Sequence, residues 1–357
     1  MEEKKEDPYF KGRGAQINTH NPFSKQAYVQ EHWEAIDEEL LMEQRTQIFY
    51  ETPKKIVNKV ESPDLSMMYS LNPYQGCEHG CIYCYARNSH QYWGFSAGLD
   101  FERKIVVKQN AAELLEKNFQ NKNWVPAPIV VSGNTDCYQP LERKMRITRS
   151  LLEVFLKYKN PVGMITKNSL ILRDVDILSE LAKDRLVHVM VSITSLNEEL
   201  RLKMEPRTAT AKQRLKTIEG LAKAGVPVGV MTAPIVPGLN SSEIPALIKA
   251  AADHGAIDAG YTMVRLNGAI DEIFKDWVRK NYPDAADKVL HQIMEVHSGT
   301  LNDSRYGTRM RGEGNIAESI RALFKSAVKK HMNGKTSFEY NLEAFTRPRT
   351  DGQLELF

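Results

Sequence analysis

Residues 129–132 read IVVS, 162–166 read VGMIT, 187–193 read VHVMVSI and 228–233 read VGVMTA. Each is a short run of β-branched and apolar residues, the pattern of a strand covered on both faces. Between these runs the apolar period lengthens to that of a helix, over Ile147 to Tyr158, Val175 to Leu186 and Ala211 to Ala224. Gly225 follows the last of them, where a helix-ending glycine belongs. Working outward, Glu243 to His254 reads as a helix, Ala259 to Met263 as a strand, and Tyr69 to Pro73 as an earlier strand. Alternation of this kind predicts an α/β fold with a parallel sheet and right-handed crossovers. About six βα units suit an open or partial barrel better than a closed eight-fold one.

The flanks read differently. Residues 1–64 form a polar N-terminal extension, with a short helix expected at Glu31 to Gln47. Its aromatics Phe10, Phe23 and Trp33 argue that it wraps the main domain. Residues 65–265 form the core. Residues 266–357 are expected to be mostly helical (Asp271 to Lys280, Ala285 to His297, Ile316 to His331), ending in a loosely held polar tail.

In the whole chain of 357 residues, 42% are hydrophobic and 26% charged, which excludes a largely disordered or collagen-like chain. The net charge of +3 is too mild to select nucleic acid by itself. No apolar run approaches the roughly 18 residues of a membrane helix. The charged N-terminus lacks a signal-peptide core. A cytoplasmic protein with no membrane partner is expected.

Of four cysteines, three fall within the stretch NPYQGCEHGCIYCYAR, as Cys77, Cys81 and Cys84 in the spacing C-x3-C-x2-C. Three thiolates on one loop can grip one face of a metal centre. Structural zinc wants four ligands, usually as two pairs, and no second pair exists. His79 lies between the first two cysteines, but so short a loop would strain to place four ligands tetrahedrally. An iron–sulfur cluster held by three cysteines keeps one iron open for a substrate or cofactor. A redox pair Cys81-x-x-Cys84 and a zinc-stabilised, non-enzymatic binding module are the alternatives.

Ligands of parallel α/β sheets sit at the carboxyl ends of strands. That rule selects Ser132 to Asp136, Thr166 to Asn168, Ser192 with Thr194 and Ser195, and Ala233-Pro234. Each polar group there either meets a ligand or caps a helix. Tyr74, Tyr83, Tyr85, Tyr92 and Trp93 crowd the cysteine loop, either as a packing layer or as a wall that could stack a base. Arg143, Lys144, Arg146 and Arg149 open the helix after the Cys137 loop, as a solvated face or as phosphate contacts.

C-x3-C-x2-C with an aromatic, Tyr83, before its last cysteine resembles the signature of radical S-adenosylmethionine (SAM) enzymes. KGRGA near the start, NPYQGCEHGCIYCYAR, TDCYQP and MEPRTA resemble a bacterial subgroup of the spore photoproduct lyase-like branch. The likeness runs from about Ser70 to Val264. It implies a partial (β/α)6 TIM-like barrel, a [4Fe–4S] cluster on Cys77, Cys81 and Cys84, and SAM on the fourth iron. An electron donor such as flavodoxin or ferredoxin would supply one electron. SAM would then yield a 5′-deoxyadenosyl radical that takes a hydrogen atom from substrate.

The resemblance also assigns roles: Thr135 and Asp136 to the amino group of SAM, Lys167 to its carboxylate, Ser192 to its ribose and Tyr83 to a place beside adenine. These types fit, an ammonium for a carboxylate and hydroxyls for ribose. Arg207 of MEPRTA would pair with a carboxylate or phosphate. Spore photoproduct lyases return a hydrogen atom from a cysteine whose position falls on Gly133 here. Cys137, just after a strand end, is expected to face the same mouth and to serve instead. The resemblance leaves the substrate unassigned, with a nucleic-acid-related one as its fold-level suggestion. A peptide- or protein-modifying enzyme is the alternative, and the lack of any cysteine after Cys137 counts against it.

Overall fold

The protein is described by a computed structural model over residues 10–23, 45–65, 67–334 and 338–348. In chain order its strands are β1 (Gln47–Glu51), β2 (Val57–Lys59), β3 (Tyr69–Leu71), β4 (Tyr74–Gln75), β5 (Lys104–Lys108) and β6 (Ile129–Val131). They continue with β7 (Val162–Thr166), β8 (Val187–Ser192), β9 (Val228–Ile235) and β10 (Ala259–Met263). Seven of them make one sheet in the order β10-β9-β8-β7-β6-β3-β2. The six from β3 to β10 in that sheet run parallel, and β2 closes the edge antiparallel to β3. This is the expected α/β partial barrel of six parallel strands.

The reason is burial on both faces. Ile129, Val162, Val187, Val189, Val191 and Val230 are fully buried, and each contributes about 1.5–3 kcal/mol by leaving water. The crossover helix Ile147–Tyr158 turns Leu151, Leu152, Phe155 and Tyr158 onto the sheet. The helix Ala211–Lys223 stops before Gly225, whose φ of +76° suits a residue without Cβ.

Two parts were not expected. A second sheet, β1-β5-β4, lies beside the barrel. Strand β1 comes from the N-terminal extension and pairs in parallel with β5, so Gln47 opens a strand rather than ending a helix. The rest of the helix expected from Glu31, and Trp33, fall mostly outside the described residues. The polar tail is also not loose where it is described. Phe338 stacks on His188 with ring centres 5.0 Å apart. The guanidinium of Arg347 donates to the carbonyls of Phe119, Asn121 and Trp124.

The helices Ile270–Asn281, Ala286–Val296 and Gly314–Met332 form the C-terminal region as expected. Phe274, Trp277, Val289 and Ile293 pack there with Met204 and Tyr83 in a second core. Among the described residues, no helix is long and apolar enough to cross a membrane.

Candidate active site

The cysteine loop leaves the sheet after β4. Cys77 and Cys81 are buried, Cys84 is half-buried, and none is in a disulfide. The loop is gripped from below by the KGRGA segment. The backbone N–H groups of Gly14 and Ala15 donate to the Glu102 carboxylate at 3.1 and 2.8 Å, and Arg87 Nη2 meets the same carboxylate at 2.6 Å. Gly14 passes so close that a Cβ would stand 1.7 Å from the Gly80 carbonyl oxygen. Only glycine fits between the two segments.

Burial pushes all three loop thiols up, and Cys77 is pushed further by Asp136 and by the other two thiols. A thiolate is the metal-binding form, so three crowded, buried thiols suit a cationic centre among them. His79 does not join that donor set. Its Nδ1 lies 3.4 Å from Asp136 Oδ2 and its Nε2 3.3 Å from Asn168 Nδ2. Among the described residues no group of three His, Cys, Asp or Glu is placed to hold a single ion. With His79 engaged by Asp136 and Asn168, the loop offers three thiols rather than the four ligands of a structural zinc.

Asp136 ties the strand ends together. Its Oδ1 accepts from Tyr138 N at 2.9 Å and Thr166 Oγ1 at 2.8 Å, and its Oδ2 accepts from Lys167 N at 2.7 Å. Burial opposes its charge, but His79 and these donors win, and the carboxyl sits below its ordinary value. Thr135 is buried beside it and donates from Oγ1 to the Tyr74 carbonyl at 2.8 Å. Ser192 is buried at the end of β8, and its carbonyl accepts from Arg214 Nη1 at 2.9 Å.

Lys167 is half-buried, with Nζ 5.9 Å from the centre of the Tyr83 ring. It is within electrostatic reach of Cys81, Cys84 and Glu205. Among the described residues, its ammonium has no hydrogen-bond or ion-pair partner. Tyr83 is buried with its hydroxyl on Glu205 and 3.2 Å from Thr194 Oγ1.

Glu205 is the hub that the sequence reading missed. It also accepts from Thr194 Oγ1 at 2.5 Å and pairs with Arg214 Nη2 at 2.5 Å. Burial resists its charge, but Arg214 and then Lys167 outweigh that, and its carboxyl falls to about 2. The signal was present two residues before Arg207 in MEPRTA. A buried Glu–Arg pair across nine residues has no spacing signature, however.

One expectation needs correction. Cys137 does not face the mouth. It is 0% exposed in the main core, with its N–H on Ser132 Oγ at 2.8 Å and its carbonyl accepting from Thr148 Oγ1 at 2.7 Å. The chain takes a left-handed turn at Ser132 (φ +78°), and the Ser132 hydroxyl holds the Cys137 backbone N–H. Arg207 lies against the cluster loop, with Nη2 3.6 Å from Glu78 Oε1 and its N–H on the His79 carbonyl at 3.2 Å. The crowding aromatics divide: Tyr74 and Tyr83 are buried, while Tyr85 and Tyr92 are exposed. Arg149 is engaged by Asp174 and Asp176 rather than left for phosphate.

The site is thus a cysteine loop after the first strand of a six-strand parallel partial barrel whose strand ends carry polar side chains. The model of the Radical SAM superfamily matches residues 71–251, and the chain belongs to that superfamily. It is an enzyme, and members of the family use a [4Fe–4S] cluster and SAM.

The uncharacterized protein Rv2578c of Mycobacterium tuberculosis is 31% identical over 234 residues, 65% of this chain and 69% of the relative. The uncharacterized protein MJ0683 of Methanocaldococcus jannaschii is 25% identical over 244 residues, 68% and 87% of the two chains. A spore photoproduct lyase complexed with dinucleoside spore photoproduct superposes with a TM-score of 0.57 at 16% identity, covering 80% of each chain. A mutant of that lyase with bound AdoMet and the same dinucleoside matches at 0.57 and 15%, covering 82% of each. At such identity these structures show the fold.

Proposed function

We propose that Cys77, Cys81 and Cys84 hold the [4Fe–4S] cluster and that SAM lies across the ends of β6, β7 and β8. When bound, the cluster and SAM supply one-electron cleavage to a 5′-deoxyadenosyl radical that takes a hydrogen atom from a substrate. The chain's own residues then bind and orient. Lys167 offers three donors to the SAM carboxylate. Thr135 and Asp136 present oxygens to its amino group, Ser192 a hydroxyl to its ribose, and Tyr83 an aromatic edge near adenine. Glu205, held by Arg214, fixes Tyr83 and lies within electrostatic reach of Lys167, and Arg207 steadies the cluster loop through Glu78.

The core at 65–265 carries this chemistry. The extension at 1–64 braces the loop, and the region 266–357 borders the substrate side. The electron comes from a donor such as flavodoxin or ferredoxin. The substrate is nucleic-acid related, a reading supported by the exposed rings of Tyr85 and Tyr92 that follow the cysteine loop.

The observation that carries the proposal is three unbridged thiols on one loop, two buried and one half-buried, near an ammonium without a partner among the described residues. Anaerobic reconstitution with dithionite and SAM tests it. The wild type should release 5′-deoxyadenosine, and Cys77→Ala, Cys81→Ala and Cys84→Ala should each abolish it. Release by any of the three would contradict the ligand assignment.

A further inference from the structure

The seven-stranded sheet is not closed: β10 and β2 are its two edges. Residues 303–311, DSRYGTRMR, bridge that lateral opening. On the β10 side, Met263 N donates to the Met310 carbonyl at 3.0 Å, and Arg311 Nη1 to the Tyr261 carbonyl at 3.2 Å. On the other side, Gly307 N donates to Asp64 Oδ1 at 2.6 Å. Arg309 donates to Asp64 and, at 2.5 Å, to Ser62 Oγ, both in the loop between β2 and β3. The strap is thus pinned at both ends.

Arg265 follows the carboxyl end of β10 at this opening. Its neighbours fix the backbone: Val264 N donates to the Ile235 carbonyl at 2.9 Å and Leu266 N to the Leu301 carbonyl at 3.0 Å. Asn88, on the 3-10 turn that carries Tyr85, holds the Asn267 carbonyl at 2.8 Å and Ala269 N at 3.1 Å. The guanidinium of Arg265 is half-buried, within electrostatic reach of Arg309, Asp64, Tyr85 and Asp303. None of these bonds to it. Asp64 is taken by Arg309 and Gly307, and Asp303 by Arg305 and Thr308.

Arg265 therefore has five N–H donors, reduced contact with water, a second guanidinium beside it and no acceptor among the described residues. Its donors are left to water, and a ligand anion would exchange that water for charge-assisted hydrogen bonds. Two exposed rings belong to the same region, Tyr306 on the strap and Tyr85 within electrostatic reach of Arg265. Tyr306 is 62% exposed and carries Arg309 over its ring at 4.4 Å. Tyr85 is 53% exposed, next to Cys84, with its hydroxyl donating to the Gly133 carbonyl. Paired guanidiniums suit phosphate oxygens, and an exposed tyrosine ring is a stacking platform for any base.

We propose that Arg265 and Arg309 form an anion subsite at the lateral opening that takes the phosphate of a nucleotide unit, its base set against the Tyr306 ring. The subsite rests on the reading of the adjoining site as one acting on a nucleic-acid-related substrate. The nucleotide is free or part of an unstacked strand, and the same chemistry serves both.

The test is fluorescence anisotropy of the anaerobically reconstituted holoenzyme with a fluorescein-labelled single-stranded oligodeoxynucleotide. Arg265→Gln should weaken binding at least tenfold and flatten the salt dependence by about 0.7 log unit per log unit of salt, the loss of one phosphate contact. Arg265→Lys should recover part of the affinity. Tyr306→Ala, a change at an exposed position that spares the core, should weaken binding on the order of tenfold without changing the salt slope. Displacement by thymidine 5′-monophosphate as effective as by unlabelled strand assigns the subsite to a free nucleotide. Much weaker displacement assigns it to a strand.

Binding equal to wild type in Arg265→Gln and Tyr306→Ala would overturn the subsite, as would equal competition by polyglutamate. If the wild type meanwhile still forms 5′-deoxyadenosine, the cofactor reading stands and the subsite alone fails.

Discussion

The two walls of the barrel mouth are built on opposite plans. Along β6, β7 and β8 the buried charges are closed on one another: Asp136 accepts three hydrogen bonds, and Glu205 is shared by Arg214, Thr194 and Tyr83. Along β10 and the strap, Arg265 is half-buried without an acceptor among the described residues, and Tyr306 and Tyr85 stand in solvent. A closed network of buried charges is costly to desolvate but holds one geometry. An open one persists where something else completes it. The closed wall thus reads as the frame for a fixed cofactor, with the Lys167 ammonium left without a partner among the described residues, and the open wall as the side that meets variable substrate.

The largest effect should come from breaking the closed wall. Arg214→Met leaves Glu205 buried and uncompensated and should cost about 3–5 kcal/mol in denaturant unfolding, while the double variant with Glu205→Gln recovers most of it. No recovery would mean that the pair is not the hub. The same pair sets an acid limit. Glu205 falls from an ordinary 4.5 to about 2 on folding. Its contribution is therefore full above pH 4.5 and lost as pH drops toward 2. The double variant should lack that part of the slope.

Next in size, Lys167→Gln should raise the KM for SAM roughly ten- to hundredfold, the worth of one charge-assisted hydrogen bond, with iron content unchanged. An unchanged KM would remove Lys167 from the cofactor. The smallest effect sharpens the correction at Cys137. Cys137→Ala should cost about 1 kcal/mol of stability and leave 5′-deoxyadenosine formation as it is. A lost or altered product label would restore the thiol as a hydrogen donor.

The parallel strands were legible because their apolar runs are buried on both faces, and Ile147 to Tyr158, Val162 to Thr166 and Ala259 to Met263 have the boundaries read from sequence. The loop thiols were legible from spacing. Strand β5 was not, because KIVVK gives five residues of signal and its partner β1 lies more than fifty residues away, a pairing no local pattern encodes. Cys137 was misread because position after a strand end fixes the chain's place but not whether the side chain is buried in the core, as it is here. Glu205 and Arg265 were missed for a shared reason. Whether a charge is paired depends on which distant segments fold against it, here the helix bearing Arg214 and the strap at 303–311.

The central claim is tested most directly by counting iron and acid-labile sulfide in the protein purified without oxygen. The account predicts about four of each per chain, both lost in the Cys77→Ala variant. One zinc with no sulfide, or iron that survives removal of Cys77, would contradict it.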